Sequence, residues 1–239
     1  MKNHLKRIAA PRTWVINRKE RKYIVRPNPG AHSFDFGLPL GLLLRDAFKV
    51  AATMAEAKKL LHNNEILVDG KQRKNHRFIV GLFDVVTLPV LKKSFRIVLD
   101  NKGRVAVKEV SGTEAQQKLC KVVGKNVGKK GILHYHLHDG RTLNSDIKAN
   151  VGDSLLITFP KIEVKETIAL TPGNQVFLTR GKHGGAQGQL KTIKGKEATF
   201  TSDGKEVDNH FLASVEIYNN EIRTNKDWLR MKGRAVSDD

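Results

Sequence analysis

TMAEAKKLLHNNEILVDGKQRK, running from Thr53 to Lys74, holds a helix start, a helix stop and a hairpin in one short stretch. Thr53 is a preferred N-cap, and Glu56 three positions on completes the pattern in which hydroxyl and carboxylate satisfy orphan backbone N–H groups. Ala55, Ala57, Leu60 and Leu61 carry the helix forward, Lys58 and Lys59 fall elsewhere on the wheel, and Asn63–Asn64 suit a left-handed stop. Ile66–Leu67–Val68 then reads as a strand, and Asp69–Gly70 is a strong two-residue hairpin signal, since both tolerate positive φ. The returning arm, Lys71, Gln72, Arg73 and Lys74, is basic.

Outward from this stretch the chain divides by pattern. Upstream, Leu42, Leu43, Ala47, Val50 and Ala51 recur at helical spacing, with Arg45, Asp46 and Lys49 on other faces. Downstream, Phe83 to Leu88 is strand-like and ends at Pro89, so residues 38–90 read as a small α/β module. Residues 91–170 read as β-rich. Phe95–Leu99 and Val105–Val110 flank the turn Asn101–Gly103, and Ile132–Leu137 and Ser154–Phe159 are further strands. Glu114 to Val123 is expected to form a short helix. Residues 171–215 read as a five-stranded SH3-like barrel, with strands Gln175–Thr179, Gln189–Ile193 and Ala198–Thr201, a Gly-rich loop from Arg180 to Gly188, and a hairpin at Asp203–Gly204. Residues 216–239 carry no strong signal. The expected class is therefore α+β, mostly β, in several modules.

Residues 1–37 read as a basic, irregular arm. Within residues 1–30, Lys2, Lys6, Arg7, Arg12, Arg18, Lys19, Arg21, Lys22 and Arg26 stand against the single acid Glu20, and Pro11, Pro27 and Pro29 prevent a long helix. Such a segment buries little apolar surface by itself and gains order against a polyanion. Trp14, Ile16 and Tyr23 argue against a solvated tail. The whole chain repeats the bias: of 239 residues, 43 are Lys or Arg and 24 are Asp or Glu, a formal net charge of +19. That excess repels itself in a compact state and points to nucleic acid. No membrane partner is expected, because the apolar stretch Leu38–Leu44 is short and broken by Pro39. No apolar run follows Lys6–Arg12, so no secretory signal is read, and lone Cys120 excludes an internal disulfide.

Other chemistries fare worse. In the Gly-rich loop Lys182 is followed by His183, not by the Ser or Thr a phosphate-binding loop requires for magnesium. His134, His136 and His138 alternate and would share a strand face, yet zinc sites of this kind usually draw a ligand from another element. Cys120 lies in a basic apolar run with no paired His and Asn, so a nucleophilic enzyme is not expected.

A resemblance joins these modules. HLKRIAAPRTW from His4 to Trp14 resembles the start of the archaeal and eukaryotic (e-type) small-subunit ribosomal protein S-four family, as do Arg26–Pro27, Gly30–Ala31–His32, Leu38–Pro39 and Arg45. Ile66 to Arg73 is similar to the hairpin of the S-four RNA-binding domain. Gly103–Arg104, Lys118 to Val122 and His138–Asp139 with Arg141–Thr142 resemble the central domain, and Gly173–Asn174 to Leu190 resembles the KOW motif. Arg180 departs from that motif. The resemblance implies a non-enzymatic, cytoplasmic ribosomal protein that binds small-subunit ribosomal RNA beside other small-subunit proteins. It implies a monomer, one copy per subunit, with no cofactor or small-molecule substrate. The expected RNA contacts are Lys2, His4, Lys6, Arg7, Arg12, Arg18, Lys22, Arg26, Arg45, Lys58, Lys59, Lys71, Arg73, Lys74, Arg77, Arg180, Lys182 and His183. On an extended return arm Lys71 and Arg73, with Arg77 beyond, share a face that tracks phosphates. A transient transcription or translation factor and an RNA-modifying enzyme are the rival readings, the latter without the Arg-Leu-Asp signature of the pseudouridine synthases.

Overall fold

The computed structural model describes residues 4–63, 66–110, 112–128, 131–145, 147–180, 184–194, 197–202, 205–209 and 215–217. Lys2, Asn64, Lys182, His183, the Asp203–Gly204 turn and most of the expected tail lie outside them. The fold is mostly β, with few helical residues, as the sequence pattern implied.

The leading segment forms a two-stranded ribbon, β1 (Leu5–Lys6) with β2 (Tyr23–Ile24). Then β3 (Gly37–Pro39) runs into α1 (Leu40–Leu42), which continues as a π turn over Leu43–Ala47. The helical spacing read over Leu42–Ala51 therefore stops at Ala47; Lys49 takes a positive φ of 54° and the Val50 and Ala51 amides fold back onto the Leu44 carbonyl. Helix α2 (Met54–Asn63) starts as expected: Thr53 Oγ1 accepts the Glu56 amide at 3.2 Å. The Glu56 carboxylate accepts from Ala52, one residue before the cap, at 2.8 Å. The strands β4 (Leu67–Val68) and β5 (Lys71–Gln72) close around Asp69 (φ 49°) and Gly70 (φ 72°), the double positive φ of the expected turn.

Next come β6 (Ile79–Gly81), β7 (Val85–Leu88), β8 (Lys93–Leu99) and β9 (Val105–Val110). One antiparallel sheet has the order β5-β4-β7-β8-β9, and β3 pairs with β6. Strands on either side of residue 90 thus share a sheet, so the hydrogen bonding does not divide where the sequence pattern suggested a module boundary. Short apolar runs punctuated by Pro89 look like a break in sequence, but here proline only turns the chain.

The region Glu114–Val123 is not a helix. After a 3-10 turn at Gly112–Gln116, β10 (Gln117–Val127) is the longest strand of a second sheet. Its period places Lys118, Cys120 and Val122 on one face and Leu119 on the other. Both faces are covered, so alternation of polarity, the usual strand signal, is blurred. The sheet order is β12-β11-β10-β13-β14, with β11 (Leu133–Leu137), β12 (Thr142–Asn144), β13 (Ser154–Thr158) and β14 (Glu163–Ile168). A third sheet has the order β18-β17-β16-β15-β19, built from β15 (Gln175–Leu178), β16 (Gln187–Lys194), β17 (Glu197–Ser202), β18 (Lys205–Asn209) and β19 (Val215–Ile217).

Each sheet has a core, and the first is the largest. It takes Trp14, only 2% exposed, together with Ala10 and Ile24 from the leading segment, and Phe177 from the third sheet. The described part of that segment is therefore docked on protein. Val105 donates its amide to the Thr13 carbonyl at 2.8 Å, and burying an indole of this size contributes a few kcal/mol. The segment buries more apolar surface than its composition suggested.

Candidate nucleic-acid interface

The basic surface is built first from α2 and the hairpin beside it. Ala57 and Leu61 bury one face of α2, which leaves Lys58 and Lys59 exposed. Lys71 and Lys74 are exposed on the hairpin. Burial lowers the His76 pKa, and the charges of Lys58 and Arg77 lower it further. The His76 carbonyl accepts from Gly41 at 2.8 Å, which fixes the loop against α1. Arg73 and Arg77 are half-buried. The Arg73 guanidinium lies 4.4 Å from the Phe78 ring centre, and Arg77 Nε donates to the Arg26 carbonyl at 2.9 Å. The common face expected for Lys71, Arg73 and Arg77 is thus not a plain strand face: β5 ends at Gln72, and the two arginines are held by packing.

The leading segment presents His4, Lys6, Arg12 and Lys22 exposed. Arg7 is not available to a ligand. It is buried, with ion pairs to Glu20 at 2.7 Å and Asp46 at 3.5 Å. Arg45 is held by Asp46 at 2.5 and 2.9 Å. Arg18 is half-buried and donates to the carbonyls of Ile8, Ala10 and Pro11 at 3.2, 2.7 and 2.7 Å, so it caps the turn around Ala10. Arg7 is thereby corrected from an expected RNA contact to a group that holds the segment together, whereas Arg18 and Arg45 are partly engaged by protein groups. Their cations face acids or carbonyls that sequence spacing alone does not reveal. Arg26 is half-buried, and Arg180 is exposed with its guanidinium 5.1 Å from the Phe36 ring.

A second set of charges sits inside. Lys118 is fully buried, and its three ammonium N–H groups meet three carboxylates: Asp69 at 2.9 Å, Asp139 at 3.0 Å and Asp84. Arg141 adds bonds to Asp69 at 2.8 Å and Asp139 at 3.3 Å. His32 Nε2 lies 2.9 Å from Asp84, which also accepts the Gly81 amide. Burial works against the charged forms of Asp84 and Asp139, but Lys118 outweighs it and both carboxyls sit below the usual range. Burial, with Asp84 close by, pushes the Asp69 carboxyl up. Lys118 is pushed the other way from its desolvation, well above the ordinary lysine value, by Asp84 and Asp69. Burial and the charge of Lys118 bring His138 down to about 4. Asp69 belongs to the β4–β5 turn, Asp84 to the β6–β7 loop, Lys118 to β10, and Asp139 and Arg141 to the β11–β12 turn. The cluster therefore fastens the second sheet to the first. Sequence reading saw only turn residues and a helical lysine; the missed signal was a lysine in step with Cys120 and Val122.

The third sheet is fastened differently. Gly185 has a φ of 89°, and a Cβ there would strike the Asp100 carbonyl of the β8–β9 turn. The Phe83 and Phe177 ring centres lie 5.7 Å apart. His134 and His136 share a face of β11, but Asn144 pairs with the first and Asn126 and Thr142 with the second. Among the described residues no His, Cys, Asp and Glu grouping suits a metal. No helix among them is long and apolar enough to cross a membrane.

Fold and surface define a basic, mostly β protein of several sheets locked together, with its buried charges spent on structure. The comparisons give the class a family. Residues 1–35 match the RS4NT (NUC023) domain and residues 91–164 match the Ribosomal family S4e. The small ribosomal subunit protein eS4 of Methanocella arvoryzae is 41% identical over 192 residues, covering 80% of this chain and 81% of that one. The protein of the same name from Archaeoglobus fulgidus is 37% identical over 235 residues, covering 98% and 95%. The crystal structure of the 30S ribosomal protein S4e from Thermoplasma acidophilum superposes with a TM-score of 0.67 at 28% identity, covering 77% of this chain and 96% of that one. This chain belongs to the ribosomal S4e family, a family of structural ribosomal proteins and not of enzymes.

Proposed function

We propose that this chain binds ribosomal RNA in the small ribosomal subunit of the cytoplasm, beside other small-subunit proteins, and supports assembly of that subunit as one copy per particle. The observation that carries the reading is that Lys58 and Lys59 of α2 and Lys71 and Lys74 of the hairpin that follows it are all exposed. None of these four has an acidic partner among the described residues. The stacked Arg73 and the backbone-anchored Arg77 border them. Phosphates neutralised by such a surface release counterions, which supplies affinity without reading bases. Specificity then comes from RNA shape, which suits a protein whose basic surfaces are held at fixed distances by buried ion pairs.

In this reading the first sheet with its two helices is the S-four-like RNA-binding unit. The sheet from Gln175 to Ile217 is the KOW-type barrel, with Arg180 at its loop as a further contact. Lys2, Lys182 and His183 remain proposed contacts outside the described residues. The test is binding of the full chain to a small-subunit ribosomal RNA fragment. Changing Lys71 and Lys74 together to Glu weakens binding at least tenfold. The same double change at Lys92 and Lys93, equal in charge and with Lys93 already paired with Glu109 at 3.2 Å, has a much smaller effect. Equal losses at both places would reduce the effect to net charge and refute the interface.

A further inference from the structure

We infer that the ribbon carrying Tyr23 is a stacking platform for an unpaired nucleotide, distinct from the phosphate-tracking surface of the hairpin. The inference rests on the nucleic-acid reading above and specifies which form of nucleic acid this part of the molecule takes. The register of the ribbon pairs Leu5 with Ile24 and Lys6 with Tyr23. Strand geometry sends these pairs to opposite faces. Leu5 and Ile24 pack on the protein, whereas Lys6 and Tyr23 face outward, Tyr23 being 51% exposed. Tyr23 is thus an aromatic ring the core does not use.

Its neighbours are a lysine and a second ring. Lys22 Nζ lies 5.5 Å from the ring centre, and the His4 ring centre is 5.7 Å away at a tilt of 44°. Lys6 stands directly across the ribbon, and Arg21 is exposed two residues before Tyr23. Glu20 is engaged by Arg7 at 2.7 Å and by Arg21 at 3.6 Å, and the Arg7 bond above all holds its carboxyl below the usual range. An acidic or apolar protein surface would leave either the ring or the cations unmatched. A nucleotide matches both, its base on the ring and its phosphates on Lys6 and Lys22. The base must be unpaired, because the faces of paired bases are covered by their own stack and are not offered to a side chain.

The experiment uses the full chain, a labelled ten-nucleotide single-stranded RNA and a blunt RNA duplex of equal charge, with affinities read by fluorescence anisotropy at one salt concentration. Tyr23→Leu keeps bulk and removes the π face. It lowers single-strand affinity about 5- to 150-fold, the range that loss of one base–aromatic stack gives, and leaves duplex affinity within about twofold. Tyr23→Trp retains single-strand binding, and its emission is quenched when RNA is added. Matching thermal melts of the variants exclude misfolding, and a variant that melts early is replaced by Tyr23→Phe and Tyr23→Trp, compared by quenching and affinity alone. Wild-type affinity for single strands unchanged in Tyr23→Leu, or equal losses on both RNAs, overturns the platform while the function stands. Loss of binding to a ribosomal protein in place of RNA overturns it too. No binding of the wild type to either RNA overturns both readings.

Discussion

Replacing Lys118 with methionine keeps most of the side-chain volume and removes the single charge that Asp69, Asp84 and Asp139 share. The lysine is fully buried and its carboxylate partners are nearly so, leaving no water to take over the lost bonds. Removing one partner of a buried ion pair costs about 3–5 kcal/mol, because the partner charge stays behind. Arg141 remains near Asp69 and Asp139 but does not reach Asp84, so the loss belongs in the upper half of that range. If the first and second sheets unfold together, about 3–5 kcal/mol lowers the melting temperature by roughly 6–20 °C. The pH dependence has a definite sign. In the wild type the lowered Asp84 and Asp139 carboxyls contribute stability above the unfolded carboxylate pKa, and this is lost as pH falls through their folded values. Without Lys118 these carboxyls are raised, so protonation stabilises the variant. The gap between wild type and Lys118→Met therefore narrows below about pH 4. Denaturant melts at pH 7, 5 and 3.5 measure it. A variant as stable as the wild type at pH 7, or a gap independent of pH, would refute the assignment of Lys118 as the shared counter-charge.

Other consequences are as direct. His138, at about 4 when folded against 6.5 unfolded, binds its proton only in the unfolded chain across that window, so its contribution falls by about 3 kcal/mol as pH drops from 6.5 to 4. The raised Asp69 acts oppositely in the same window, so the quantity to measure is the stability difference between wild type and His138→Asn, in which the amide oxygen can still accept the Lys121 N–H. Trp14→Ala empties a site in the first core and costs about 3–5 kcal/mol by denaturant melt; protease cleavage within residues 4–37 rises in parallel. Gly185→Ala places a methyl group against the Asp100 carbonyl at a φ of 89° and costs about 1–3 kcal/mol, read as a lower melting temperature.

How much of this was legible in the sequence follows from how local each cause is. Thr53 with Glu56 and Asp69 with Gly70 act within four residues of each other, and the helix start and the hairpin appear where the pattern placed them. Trp14 was legible as a residue that resists a solvated tail, but not as a member of the first core, because its partners lie tens of residues away. Lys118 misled for a stronger reason. A strand covered on both faces loses its alternation, and a lysine that three distant aspartates neutralise looks like a solvated helical residue. The interface shows the same division: the exposed lysines were legible from composition and spacing, whereas Arg7, Arg18 and Arg45 look identical in sequence and are engaged by Glu20, backbone carbonyls and Asp46.

The salt dependence of RNA affinity tests the central claim most directly. Full-length chain is titrated against a folded small-subunit ribosomal RNA fragment from 50 to 300 mM KCl, and log K is plotted against log salt. Contacts from the hairpin unit, the leading ribbon and the Arg180 loop together neutralise at least about six phosphates, which gives a slope of roughly −4 or steeper. A slope shallower than about −2 would mean that one or two phosphates carry the binding, and would contradict a surface spread over several locked sheets.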